Sequence, residues 1–209
     1  VQTCALPILP WPRAGVFAVP VKRTDFAVAG WRVESADGRP LPQQPLAPPN
    51  PYRPGEWDIL VQTEAPAAGY RAVRLRPADS AVAQRRPEPL PPSGSVQAGP
   101  LRLAWRDGLL VGLESAVAVL DGTAATSLLE PLCRPAQVRG WLTTAVEAPR
   151  PRIRVTGLRQ TEWGPLRWCI ERTATIGPHS LRQWFRVTDG TRLAVVTAVA
   201  YRPANCLFS

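Results

Sequence analysis

The sequence predicts an all-β chain of antiparallel sheets. Apolar and polar residues alternate at the two-residue period of a strand through most patterned segments, and Val, Thr and Trp outweigh helix formers there. Proline, at 25 residues, suits edges and loops. The clearest stretch is Glu162–Tyr201, which reads as three long strands joined by two turns. Leu166, Trp168 and Ile170, then Leu181, Phe185 and Val187, then Leu193, Val195 and Val199 share one face. Arg167, Glu171, Arg182, Arg186 and Arg192 fall between them, so one face is expected to be buried and the other wet. The GPHS segment after Ile176 and the DGT segment after Thr188 supply the turns.

Taken in order, Val1–Ile8 (VQTCALPI) resembles the translation of a sequencing adapter, and residues 1–8 are set aside as an artefactual leader. Residues 9–78 are expected to form a small β domain. Its strands are placed at Val16–Val21, Phe26–Val33, Asp58–Gln62 and Tyr70–Leu75, with a turn at Ala36-Asp37-Gly38. The prolines of Arg39–Glu56 remove backbone donors, which predicts a loop; its polyproline character would also suit a docking groove, but a stiff surface loop is the simpler reading. Residues 79–95 are expected to be a Pro-rich linker.

From residue 96 to 209 a second domain is expected. Leu101, Leu103 and Trp105 alternate with Arg102 and Arg106, Asp107-Gly108 is a tight hairpin signal, and Leu109–Leu113 returns. Further strands are placed at Val138–Val146 and Ile153–Leu158, with a short helical turn as one reading of Thr126–Gln137. No internal repeat of fixed period stands out, which argues against a propeller.

Composition narrows the function classes. A chain of 209 residues is long enough to bury a real core, and no apolar run approaches membrane-spanning length. The formal charge of +9 would suggest nucleic acid if it were clustered, but the arginines are spread singly along strands and only Lys22 is a lysine. The expected partners therefore include no nucleic acid and no membrane. An Ala-, Arg- and Pro-rich chain of this kind is what a GC-rich bacterial genome encodes. With Cys4 set aside, Cys133, Cys169 and Cys206 form no CxxC pair, so a reducing, cytoplasmic setting is expected rather than a disulfide framework or zinc site.

The inventory of reactive groups is thin. His179, the one histidine, sits in the GPHS turn and reads as a solvated turn residue, and no GxSxG elbow accompanies it. Glu114, Glu147, Glu162 and Glu171 are scattered, so no carboxylate pair is chosen, and neither GxGxxG nor a P-loop occurs. No catalytic residue, cofactor-binding residue or metal ligand is assigned. Among the eight tryptophans, Trp105, Trp141, Trp163, Trp168 and Trp184 lie in the second half, where core filling is the simpler role. Trp168 is expected inward. Trp184, between Arg182 and Arg186, is the candidate for an exposed carbohydrate contact.

The GPLR run at Gly164, Pro165 and Arg167, the strand carrying Leu181 and Gln183, the DGTR turn and RLAVVTAVAY resemble the C-terminal β-sandwich region of glycoside hydrolase family 38, the α-mannosidases. Three upstream stretches agree in order: Arg32–Gln44 (RVESADGRPLPQQ), Glu64–Leu75 (EAPAAGYRAVRL, with Gly69 and Tyr70) and Leu101–Leu113 (LRLAWRDGLLVGL). Ala200, Tyr201 and Pro203 depart from the family's closing pattern, which has Asp, Trp and Glu there. The resemblance implies a small β-sandwich followed by the first part of a large, galactose mutarotase-like antiparallel sandwich. It further implies an intact parent that hydrolyses terminal α-mannosyl linkages with retention, using zinc or another divalent metal, in a barrel and a helical domain upstream of these strands. This stretch would supply the non-catalytic β portion, itself without cofactor and inactive alone, with the parent's catalytic and helical domains and a glycan substrate as partners. The alternatives are a free-standing carbohydrate-binding or structural β-sandwich, and an interaction domain docking through Arg39–Glu56.

Overall fold

A computed structural model describes residues 2–5, 12–22, 30–46, 56–67, 69, 71–78, 87–115, 119–122, 128, 131, 133–139, 142–145, 151–200 and 206–208. The fold is all-β: the described residues contain no helix, and the ladders are antiparallel. No helix is long and apolar enough to cross a membrane. The chain divides into two compact units, Val1–Pro87 with Thr161–Trp168, and Glu88–Gln160 with Cys169–Ser209.

The first unit has strands β1 (Gln2–Ala5), β2 (Arg13–Lys22), β3 (Gly30–Ser35), β4 (Gln43–Pro45), β5 (Glu56–Ala65) and β6 (Ala72–Ala78). They form two three-stranded sheets, β1-β6-β3 and β2-β5-β4. Alternate residues of both sheets meet in one core: Val19, Val21, Ile59 and Val61 from one, Val33, Val73 and Leu75 from the other, with Trp31 and Leu41 packed against them. This is a small sandwich, and each fully buried Val or Leu contributes about 1.5–3 kcal/mol to it.

Two stretches differ from expectation here. Gln2–Ala5, set aside as leader, pairs along β6 with Gln2 opposite Leu75. Arg39–Glu56 is not loop throughout, because Gln43–Pro45 pairs with Val61, Leu60 and Ile59 of β5. Proline is tolerated there because β4 is an edge strand whose outer side needs no donor. Residues 23–29 and 47–55 lie outside the described residues.

The Ala36-Asp37-Gly38 turn is where the sequence places it, with Gly38 at φ 87°. The Ser35 hydroxyl donates to the Asp37 carboxylate, and Arg39 N–H donates to Ser35 Oγ at 3.2 Å.

The second unit carries β7 (Glu88–Pro89), β8 (Gly94–Ala98), β9 (Leu101–Arg106), β10 (Leu109–Glu114), β11 (Val119–Asp121), β12 (Cys133–Arg139), β13 (Leu142–Ala145), β14 (Ile153–Glu162), β15 (Arg167–Ile176), β16 (His179–Thr188), β17 (Arg192–Ala200) and β18 (Cys206–Phe208). Its sheets run β11-β10-β9-β8, β13-β12-β18 and β17-β16-β15-β14-β7. The tip of the β14–β15 hairpin, 161–168, belongs to the first unit. Part of the expected linker is ordered as β7 and the start of β8. Prolines flank β7, yet Glu88 and Pro89 still pair with Gln160 and Arg159, because the strand lies at the sheet's edge. The stretch Cys133–Gln137, read as a possible helical turn, is strand, and Val138–Val146 is broken into β12 and β13.

Leu101, Leu103, Trp105 and Leu110 are buried in the four-stranded sheet, and Ile170, Ala174, Ile176, Leu181, Phe185 and Val187 in the five-stranded one, where Ala174, Ile176 and Leu181 form one cluster with Ile153, Val155 and Val199 packed against it. Asp107 and Gly108 both take positive φ, 52° and 74°, as a two-residue hairpin turn requires. Gly108 is fixed twice over, since a Cβ there would stand 2.5 Å from Val155 Cγ1. Its carbonyl accepts from Arg172 Nη1 at 3.2 Å. Arg172 is fully buried, lies 5.2 Å from the Phe185 ring centroid and donates to Gln183 Oε1; Gln183 in turn donates to Thr197 Oγ1 at 3.0 Å. His179 is also fully buried, contrary to the solvated turn expected. The turn is confined to Gly177 and Pro178, so His179 is the first residue of β16 and takes the inward phase of its alternation.

Two measurements check this description. Gly108→Ala should destabilise the chain by about 1–3 kcal/mol in urea unfolding, and adding Val155→Ala should restore only part of it, because the positive φ remains strained. The hydrogen bond from Ser35, with Arg39 adding to it, holds the Asp37 carboxyl below its ordinary 3.8. A carboxyl depressed in the folded state stabilises above its unfolded value and loses that contribution as pH falls through the folded one. The Asp37 side-chain carbonyl in an NMR titration should therefore turn over below 3.8 and move up in Ser35→Ala.

Candidate functional site

The outward side of the five-stranded sheet is built by the same alternation that fills the core. Along β16 the residues His179, Leu181, Gln183, Phe185 and Val187 are buried, which leaves Arg182, Trp184 and Arg186 on the opposite side. On β14 the burial pattern changes phase at Gly157–Leu158, so Val155 packs inward while Arg159 points outward. A two-residue turn between β15 and β16 sets Glu171 opposite Trp184.

Glu171 is the centre of this surface. Its side chain is only 6% exposed, and Arg159 Nη2 donates to Oε1 at 2.8 Å while Arg182 Nε lies 3.3 Å from the same oxygen. Trp184 Nε1 donates to Oε2 at 3.2 Å. The carboxylate thus ties together three adjacent strands. The arginines remain open to solvent, at 47% and 54% exposure, and the Arg182 guanidinium stands 5.9 Å from the indole centroid. Trp184 is half-buried rather than freely exposed, with its N–H engaged and Val196 of β17 as its cross-strand partner.

The ladder places Ala198, Val196 and Ala194 of β17 opposite Arg182, Trp184 and Arg186. These short side chains make a low apolar shelf next to the indole, and Val196 is 41% exposed. Arg186 Nε is buried and has no hydrogen-bond partner among the described residues.

A second constellation lies within the first unit. Gln44 on β4 is buried, and its side-chain amide grips the backbone of the hairpin tip: Oε1 accepts from Leu166 N at 3.1 Å and Arg167 N at 2.8 Å, and Nε2 donates to Arg167 O at 2.7 Å. A Cβ at Gly164 would overlap the Gln44 amide, so glycine is required there. Arg167 then forks onto Glu162, with Nη2 donating to Oε1 at 2.9 Å and Nε donating to Oε2. Pro165 is exposed in the same bend.

The named residues of the sequence reading therefore fall into three places. Gly164, Pro165 and Arg167 share the Gln44 clamp, Gln183 is the buried partner of Arg172, and Trp184 stands on the outward surface. Gly69 lies just before β6 against Pro66, and Tyr70 and Trp141 lie outside the described residues. Sequence reasoning missed Gln44, Glu171 as a buried anchor, and Arg172 as an inward cation. The pairing of an arginine or glutamine with a strand-phase neighbour was the available signal only for Arg172, which shares the even phase of Trp168 and Ile170.

The donor set does not fit the zinc or other divalent metal that the resemblance implies for an intact parent. Among the described residues each buried carboxylate is committed to guanidinium: Glu34 to Arg32 and Arg76 at 2.9 Å each, and Glu171 to Arg159 and Arg182. Among the described residues no group of three or more His, Cys, Asp or Glu could hold a metal ion.

Replacing Gln44 by Ala would leave two buried amide hydrogens without acceptors, a loss of about 1–3 kcal/mol. In Gln44→Ala the amides of Leu166 and Arg167 should exchange with deuterium at least about tenfold faster than in the parent, while core amides of β15 beyond Ile170 change little.

Comparison with known proteins adds no family to this geometry: no family model matches the sequence, and no curated protein matches it.

Proposed function

We propose that the chain is the non-catalytic β region of a larger α-mannosidase-like glycoside hydrolase, a scaffold that buttresses catalytic and helical domains of the same parent. The observation that carries this reading is the Gln44 clamp. Two of the stretches on which the resemblance rests, Arg32–Gln44 and Gly164–Arg167, are 120 residues apart in sequence, yet their Gln, Gly and Arg form one hydrogen-bonded device. Shared motif residues that explain one another physically support a common origin for the two stretches better than either alone does. Gln183 adds to this, since the strand position that the resemblance singles out holds the buried Arg172 in place.

In this reading the chemistry, retaining and dependent on zinc or another divalent metal, belongs to the parent's other domains, the substrate is a terminal α-mannosyl glycan, and the setting is the bacterial cytoplasm. The large sheet would be part of a mutarotase-like sandwich. The alternative of a free-standing carbohydrate-binding module has one observation in its favour, the outward surface around Trp184 with its open arginines.

The purified chain should not hydrolyse an aryl α-mannoside with or without added zinc, and zinc-dependent turnover that survives further purification would overturn the assignment. The genomic frame upstream of Leu9 should encode a barrel with clustered His and Asp zinc ligands; a frame encoding an unrelated domain would favour the free-standing module instead.

A further inference from the structure

The outward surface of the five-stranded sheet has a composition that its structural role does not require. A strand face that merely meets water is served by any mixture of polar residues. Here one half-buried indole is set at the centre of a cationic frame: Arg182 and Arg186 lie two residues either side of it on β16, and Arg159 reaches in from β14. Successive same-face residues on a strand stand about 6.6–6.8 Å apart, so the two β16 guanidiniums bracket a patch about the width of two strand repeats. Two of the three guanidiniums, those of Arg159 and Arg182, share the one carboxylate of Glu171, which leaves the patch net positive.

The guanidiniums also retain donors. Arg159 uses Nη2 and Arg182 uses Nε on Glu171, and both side chains remain about half exposed. The buried carboxylate therefore acts as a positioning group. It fixes two forks beside the ring without neutralising both, and it occupies the indole N–H so that the ring plane is held in one orientation. Arg186 adds a buried Nε with no partner among the described residues. Opposite these residues, β17 presents Ala194, Val196 and Ala198, a shelf low enough to leave the ring approachable from the sheet's edge.

We propose that this surface, Trp184 with Arg159, Arg182 and Arg186 over the Ala194–Ala198 shelf, binds an acidic oligosaccharide, one whose sugar rings carry carboxylate or sulfate. The flat ring and the alanine shelf take the apolar C–H face of a sugar, and the forks take its anionic substituent, for which planar bidentate donors are matched. A single-stranded nucleic acid is disfavoured, because successive bases need successive stacking rings and this patch has one. The inference rests on the surface itself and not on the mannosidase reading, whose glycan is neutral; either can fail while the other stands.

The test uses calorimetric titration of the full chain with three hexamers, an oligogalacturonate, a heparin-derived hexasaccharide and neutral mannohexaose, with oligothymidylate as a fourth probe. One or both acidic hexamers should bind, with affinity falling as salt rises, and which one binds separates carboxylate from sulfate. Trp184→Ala should weaken that binding about tenfold, as expected for one lost stacking contact. Arg182→Gln should weaken it less and flatten its salt dependence. Because Trp184 is half-buried, Ala198→Glu provides a variant that leaves the ring and its supports in place; the added carboxylate beside Arg182 should weaken acidic-hexamer binding about tenfold without lowering the melting temperature. No binding of either acidic hexamer, equal binding of mannohexaose, tighter binding of oligothymidylate, or unchanged affinity in both Arg182→Gln and Ala198→Glu would each overturn the proposal.

Discussion

The register of the β15–β16 hairpin is the constraint on which the second unit depends. Its turn is two residues long, with Gly177 at φ 56° followed by a proline, whose ring fixes a negative φ. That order admits little slack, and in a sheet a slip of one residue would carry every side chain of a strand to the opposite face. With the register held, Arg172 and Gln183 meet inside the core while Glu171 and Trp184 meet outside it. A slip would bury Glu171 and Trp184 in the core and turn the Arg172 chain out to water.

Arginine is used in two distinct ways on the two sides of that sheet. Inside, Arg172 is fully desolvated and is met by Gln183, by the Gly108 carbonyl and by the Phe185 ring, so a charge is carried by polarisable and dipolar neighbours. Because its hydrogen bonds reach the β9–β10 turn, it also ties the four-stranded sheet to the five-stranded one. Outside, the carboxylate of Glu171 is nearly buried and flanked by two half-exposed arginines, and in the first unit Glu34 is flanked in the same way by Arg32 and Arg76. Solvent screening keeps each of those contacts to about 0–1 kcal/mol, so their role is to place the guanidiniums more than to stabilise the sheet. Four of the chain's arginines are thereby held in fixed positions.

The sequence makes strand existence and facing legible wherever one side is apolar and the other polar. That is why the three strands of the meander, the Asp107-Gly108 hairpin, the Asp37 turn and the inward and outward phases of Trp168 and Trp184 are readable from residue order alone. What is not readable is what lies across a sheet or between distant segments. His179 looks like a turn residue because Gly-Pro precedes it, but only the loop length decides that it begins a strand. Gln43–Pro45 looks like loop because prolines surround it, and only its place at a sheet edge makes the pairing permissible. No apolar–polar alternation singles out Gln44, although one of the resembling stretches ends on it; its partners Leu166 and Arg167 lie more than 120 residues away.

The residues that open the outward surface also shape the sheet's edge. Among the described residues β17 pairs only with β16, and from Leu193 to Ala200 it bears no charge. Strands at an edge are ordinarily guarded by lysine, proline or a bulge, because an uncharged edge can recruit another strand. Placing a long charged side chain at Ala194 or Ala198 would provide that guard, and it would also fill the space beside Trp184. The short residues at these two positions therefore serve access to the indole at the expense of edge protection. Arg192 opens the strand at one end, and the charges opposite Ala198 and Ala194, Arg182 and Arg186, stand one strand inward. That arrangement suits the proposed ligand, because it leaves the indole open from the edge while the guanidiniums stand behind it.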